Sequence, residues 1–150
     1  MRNVVPILAA FLLASGCNQT PSTEVEVTNP VVRLPAVPGR PGAGYFMLTA
    51  PQDRVALTAV TTPAAERVEM HETMAEGTMA SMRPVRRIEV GRPIAFAPGG
   101  RHLMLFGVSP ELKAGDTTDL TFQFEQGAPV TVSARVIGAG DSLGGEHAGH

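Results

Sequence analysis

Apolar and polar residues alternate in short runs along most of this chain, and Gly or Pro closes nearly every run. The clearest run is 118–124, where Leu120, Phe122 and Phe124 fall on one side and Thr121 and Gln123 on the other, the two-residue period of a half-buried strand. That apolar side is assigned to the core. Similar alternating or β-branched runs occupy 25–28, 31–34, 44–49, 54–61, 67–73, 80–85, 87–90, 94–96, 102–106 and 130–137. Short strands at such intervals predict an all-β sandwich or barrel rather than βαβ units, and no long stretch beyond residue 17 keeps a helical period. Met47 lies inside one of these strands and is expected in the core. The segment PAVPGRPGAG, 35–44, reads as a loop, and PGG at 98–100 as the turn that launches the strand carrying His102.

Between the runs ending at Ala75 and beginning at Thr78 stand Glu76 and Gly77, a two-residue hairpin signal. A turn there opposes His71 to Met82 and Met74 to Met79, and directly opposed residues share a face with Cβ atoms about 4.5 to 5.5 Å apart. Downstream, His102 and Met104 are two apart and so point the same way from one strand. Facing one another, the two pairs form a site of two imidazoles and two thioethers. That donor set is soft, and thioether sulfur selects copper(I) over zinc, calcium or magnesium.

A lone Met is ordinarily a gap-filler in a core, and a lone His an ordinary packed or surface residue. Coincidence argues for a site: of four His in the chain, the two outside the last four residues both stand at strand register with a Met. Met74 and Met79 form either a second, weaker copper contact or a docking patch for a partner, or simply an apolar hairpin tip.

The pattern of His71, ten intervening residues, Met82, then His102-x-Met104 resembles the periplasmic copper chaperones called PCuAC. So do GRPGAGYFMLT at 39–49, DRVALTAVTTPAAERVEMHE at 53–72, MRPV at 82–85, PGGRHLMLFGV at 98–108 and LKAGDTTDLTFQFEQG at 112–127. The likeness spans roughly 24–138. Nineteen residues separate Met82 from His102, a couple fewer than is usual in that family, and the Trp often found in its first strand region is missing. The resemblance implies a single-domain, cupredoxin-like Greek-key β-sandwich over 25–138. It also implies a copper(I) metallochaperone that hands its metal to a cuproprotein, such as assembling cytochrome c oxidase, or to another copper carrier. The competing reading is a metal-free structural β-sandwich lipoprotein of the cell envelope.

The start of the chain adds an address. Residues 1–17, MRNVVPILAAFLLASGC, combine one Arg, a short apolar run and small residues before a Cys, the pattern of an export signal too short to be a permanent span. LLASGC resembles a bacterial lipobox, so Cys17 is expected to carry lipid and to anchor the protein to a membrane. Diacylation holds where a single acyl chain grips only marginally. Asn18, in place of a retention Asp, leans the expectation to the outer membrane; without lipidation the protein is secreted to the periplasm. Residues 18–24 form a polar tether. Residues 139–150 read as a flexible Gly-rich tail, in which His147 and His150 suggest an accessory copper(II) site.

Charge and motifs exclude other classes. Loss of 1–16 changes the net charge from −2 to −3, and no basic patch with interleaved aromatics marks a nucleic-acid surface. His71-Glu72 opens like a zinc-protease helix motif, but Ala75 stands where its second His belongs. With Cys17 the only cysteine, neither an internal disulfide nor a blue-copper thiolate is available. A carrier rather than an enzyme is expected.

Overall fold

The computed structural model describes residues 24–51 and 55–144; the expected export signal, Cys17, most of the expected tether and both tail histidines lie outside them. All regular structure among the described residues is β. Ten strands follow in chain order: β1 (Glu26–Arg33), β2 (Gly42–Thr49), β3 (Val55–Thr61), β4 (Ala65–Glu76), β5 (Met79–Val85), β6 (Ile88–Val90), β7 (Ile94–Phe96), β8 (Arg101–Val108), β9 (Thr117–Phe124) and β10 (Val130–Ile137). They make one continuous ladder ordered β5-β4-β8-β7-β2-β1-β10-β9-β3-β6, with β8 also bonded to β2. The pairs β1–β10 and β7–β8 are parallel and the others antiparallel. The ladder folds over, bringing β3 against β4, and makes a cupredoxin-like β-sandwich whose end strands β5 and β6 are not paired with each other.

Alternation explains the core. Phe46 and Leu48 on β2, Phe96 on β7, Leu103 and Leu105 on β8, and Leu120 and Phe122 on β9 all turn inward and are buried. Phe46 joins the two layers: its ring stacks on Phe96 at 4.2 Å and meets Phe122 edge-on at 4.8 Å, both favoured aromatic arrangements. Three Phe rings thus do the central packing in a chain without Trp. Gly44 is required where β2 crosses β8, because a Cβ there would stand 2.9 Å from Leu103 Cδ1.

Three details depart from the sequence reading. The runs 25–28 and 31–34 are a single strand, β1, whose register slips between Thr28 and Val31. Asn29 takes a positive φ of 52° there, and Pro30, which has no N–H to give the ladder, sits at the irregularity where it is tolerated. Met47 is not core but 37% exposed, since Phe46 and Leu48 on either side take the inward positions and strand pleating sends Met47 out. The Gly-rich end does not leave the body at once. Arg33 Nη2 donates to the Asp141 carbonyl at 2.9 Å, Arg135 donates to the Leu143 carbonyl, and Asp141 Oδ2 accepts from the Gly138 amide at 2.7 Å.

Candidate metal centre

The site is mounted on the paired strands β4 and β8. Met70 and Leu103, and likewise Val68 and Leu105, oppose one another on the core side, so the intervening residues face outward. On that outer face the register rows are Arg67 with Phe106, Glu69 with Met104, and His71 with His102. The two imidazoles expected to share a site are therefore direct cross-strand neighbours, their ring centroids 6.0 Å apart and their planes 31° from parallel.

Each ring has one nitrogen committed. His102 Nδ1 donates to the Gly100 carbonyl at 3.1 Å; a carbonyl can only accept, so the lone pair of the neutral ring is at Nε2. The same carbonyl accepts from the Thr73 amide at 3.2 Å, tying the β4–β5 hairpin to the turn that starts β8. His71 Nε2 donates to Glu69 Oε2 at 3.0 Å, leaving the lone pair on Nδ1. That Nδ1 is buried and has no hydrogen-bond partner, in a side chain only 12% exposed. An unsatisfied buried polar atom costs roughly 1–3 kcal/mol, and a metal ion is one kind of partner that would use its lone pair. The residues present thus fit a metal whose histidine ligands are oriented by hydrogen bonds behind them.

The methionines are brought to the same face, by a register different from the expected one. The hairpin turns at Gly77 and Thr78, opposing Glu76 to Met79, Thr73 to Met82 and His71 to Pro84. Direct His71–Met82 and Met74–Met79 pairs do not form. Gly77 adopts a φ of 63°, as the first central residue of a type II′ turn must; the expected register would have put Glu76 in that left-handed conformation. Because the shift is two residues, parity survives. Met82 still lies on the His71 face, one diagonal away, a separation of about 7–8 Å between neighbouring strands. Met104 is partly buried between Glu69 on one side and Ala43 on the other, while Met82 is 59% exposed. Met74 and Met79 sit on the opposite face of the hairpin, the one shared with Met70.

Among the described residues no group of three or more His, Cys, Asp or Glu side chains is placed to hold a metal; the other soft side chains on the face of the imidazole pair are the thioethers of Met82 and Met104. Three ion-paired residues brace the site from the other face. Glu72 is ion-paired with Arg83 and with Arg101, both at 3.1 Å, linking β5, β4 and β8 along a single register row. Glu69 and Gly100 are the contributors that the sequence reading missed. Glu69 carried a usable signal, being two residues before His71 and so on its face; the Gly100 carbonyl carried none beyond its place in a turn.

Comparison with known proteins places this geometry. Residues 25–136 match the model of a family described as "Putative lipoprotein LpqE-like". A protein of Leifsonia xyli subsp. xyli, "Putative lipoprotein Lxx21020", is 32% identical over 83 residues, 53% of this chain and 50% of that protein; the chain spans about half the length of the curated relative it matches. Among solved structures, the copper-bound PCuAC domain from PmoF2 superposes with a TM-score of 0.64 at 21% identity, over 77% of this chain and 93% of that one. The copper(I) form of DR1885 from Deinococcus radiodurans superposes with a TM-score of 0.61 at 27% identity, over 82% and 83%.

Proposed function

The chain belongs to the LpqE-like lipoprotein family, and from that premise and the β4–β8 face we propose that it is a copper(I)-binding carrier of the bacterial envelope. His71, His102, Met82 and Met104 are its ligands. One observation carries the reading: two directly opposed imidazoles each have one nitrogen held, and the lone pair of His71 Nδ1 is buried without a partner on a face that also bears two thioethers. The fold shared with a copper-bound PCuAC domain supports it.

The arrangement suits cargo better than a resident cofactor. Three ligands, His71, His102 and Met104, come from the β4–β8 pair on the core, a rigid mounting, whereas Met82 belongs to the ladder's terminal strand and is largely exposed. An incoming protein with stronger donors displaces Met82 first and takes the metal by stepwise ligand exchange. Its recipient is a cuproprotein such as cytochrome c oxidase, or another copper carrier, and the protein acts as a binder rather than a catalyst. Lipid on Cys17 holds it at a membrane facing the periplasm, the outer membrane by preference. His147 and His150 in the tail form an accessory copper(II) site, and Met74 and Met79 at most a contact for a partner on the far side of the hairpin.

Copper(I) titration of the purified protein against a competing chelator tests the reading, beside the variant with Met82→Leu and Met104→Leu. One tight equivalent, lost in the variant, is the expected result. No binding by either form would leave a metal-free structural lipoprotein.

A further inference from the structure

Three side chains at alternate positions of β4 form a line of contacts on the outer face. The Arg67 guanidinium lies over the Phe106 ring at 4.3 Å, and its Nε is ion-paired with Glu69 Oε1 at 3.0 Å. The second Glu69 oxygen accepts from His71 Nε2 at 3.0 Å. Both carboxylate oxygens are thus engaged, each by a neighbour two residues away along the same strand.

Resting on the copper(I) reading above, we propose that Glu69 is a positioning residue of the metal centre: anchored by Arg67, it fixes the His71 ring with Nε2 protonated, so that His71 presents Nδ1 to copper while His102 presents Nε2. An ionised carboxylate has no proton to give, so the proton of the Glu69–His71 contact is on the imidazole. The neutral ring then keeps its lone pair at Nδ1, which is the buried atom without a partner. His102 is fixed the other way round, its Nδ1–H held by the Gly100 carbonyl. One face therefore offers one nitrogen of each kind. The two supports also differ in charge. A backbone carbonyl orients His102 without adding charge, whereas Glu69 places a negative charge behind a donor set that is otherwise neutral, which raises the basicity of His71 and favours a cation over an empty site.

Nitrogen-15 NMR of the labelled, purified protein, apo and with one equivalent of copper(I), tests the assignment alongside chelator competition. Wild type, Glu69→Ala and Glu69→Gln are compared. In apo wild type, His71 is expected as the Nε2–H tautomer and His102 as the Nδ1–H tautomer. On loading, the large shifts fall on His71 Nδ1 and His102 Nε2. Glu69→Ala is expected to mix the His71 tautomers and to weaken copper(I) binding by about 10- to 100-fold, the range typical for loss of a carboxylate behind a metal-bound imidazole, with an unchanged Tm. Glu69→Gln, whose amide oxygen accepts the same hydrogen bond without the charge, keeps the tautomer and recovers part of the affinity.

A wild-type His71 protonated at Nδ1, or bound to copper through Nε2, overturns the inference. So does a Glu69→Ala variant with wild-type tautomer and affinity, or one whose affinity falls only in step with its Tm. Failure of the wild type to bind copper(I) at all, with the apo tautomers as stated, would instead overturn the copper reading and Glu69's role with it.

Discussion

The two faces of the β4–β8 pair make opposite use of the same backbone. Inward, Met70, Leu103 and Leu105 are buried in the core; outward, one residue along each strand, stand His71, His102 and Met104. Strand pleating separates the two sets completely. The ligands therefore inherit the rigidity of the core without being part of it, and stability and metal binding should respond to different substitutions on the same strand.

Leu103→Ala is the strongest test of the inner half. Leu103 is completely buried and packs on Gly44, so truncation should cost about 2–5 kcal/mol, transfer and cavity effects together, measured by denaturant unfolding. Copper(I) affinity of the folded fraction should change little. The outer half answers to His102→Ala, which should lower copper(I) affinity by about 100-fold or more, beyond the 10- to 100-fold typical of residues that merely support a ligand. Its unfolding free energy should stay within roughly 1 kcal/mol of wild type, the value of the single hydrogen bond to Gly100. A several-kcal/mol loss in His102→Ala would break the comparison and make the imidazole a packing element.

That separation by parity is also why so much was legible in the sequence. Alternation alone identified the inward face of 118–124, and the i, i+2 spacing of His102 and Met104 placed both on one side whatever the pairing. The same rule, applied to Met47, was overlooked beside its apolar neighbours, though Phe46 and Leu48 had already claimed the interior. Register was harder, because it depends on which two residues turn. Only the left-handed φ of Gly77 decides between Glu76-Gly77 and Gly77-Thr78, and the choice moves Met82 from beside His71 to its diagonal. The two-residue slip left the face intact, so the four proposed ligands still share one side of the sheet although the expected His71–Met82 pair does not form. Glu69 was passed over for a different reason: an acidic residue on an exposed alternation reads as ordinary solvated surface until its partner, His71, is seen to be nearly buried.

Within the outer face the two thioethers differ in burial, and a smaller effect sharpens the picture. Met82 is 59% exposed on the terminal strand, while Met104 is flanked by β4 and β2. Leu conserves volume at either position and should cost less than about 1.5 kcal/mol of stability. Met104→Leu should reduce copper(I) affinity more than Met82→Leu, whereas Met82→Leu should give the greater change in the rate of transfer to a competing ligand, measured by stopped-flow absorbance. Equal effects on transfer would mean that the exposed thioether is not the first to leave.

The smallest expected effect isolates the register itself. In a two-residue hairpin Glu76 and Met79 are the hydrogen-bonded pair next to the loop, so Ala75 and Ala80, opposed one step further in, form a non-hydrogen-bonded pair with Cα atoms about 4.5 Å apart. That falls within the disulfide range of roughly 4.4–6.8 Å. Ala75→Cys with Ala80→Cys should therefore close under mild oxidation, seen as the loss of two free thiols and two mass units, while Ala75→Cys with Thr78→Cys should stay open. Both substituted residues lie beyond the Thr73–Met82 row, toward the tip, and neither is a proposed ligand. Locking them should leave copper(I) affinity at its wild-type value, because the diagonal placement of Met82 is the one the closed site already uses. If oxidation instead abolished binding, copper would require the hairpin to slip to the register in which His71 and Met82 stand face to face.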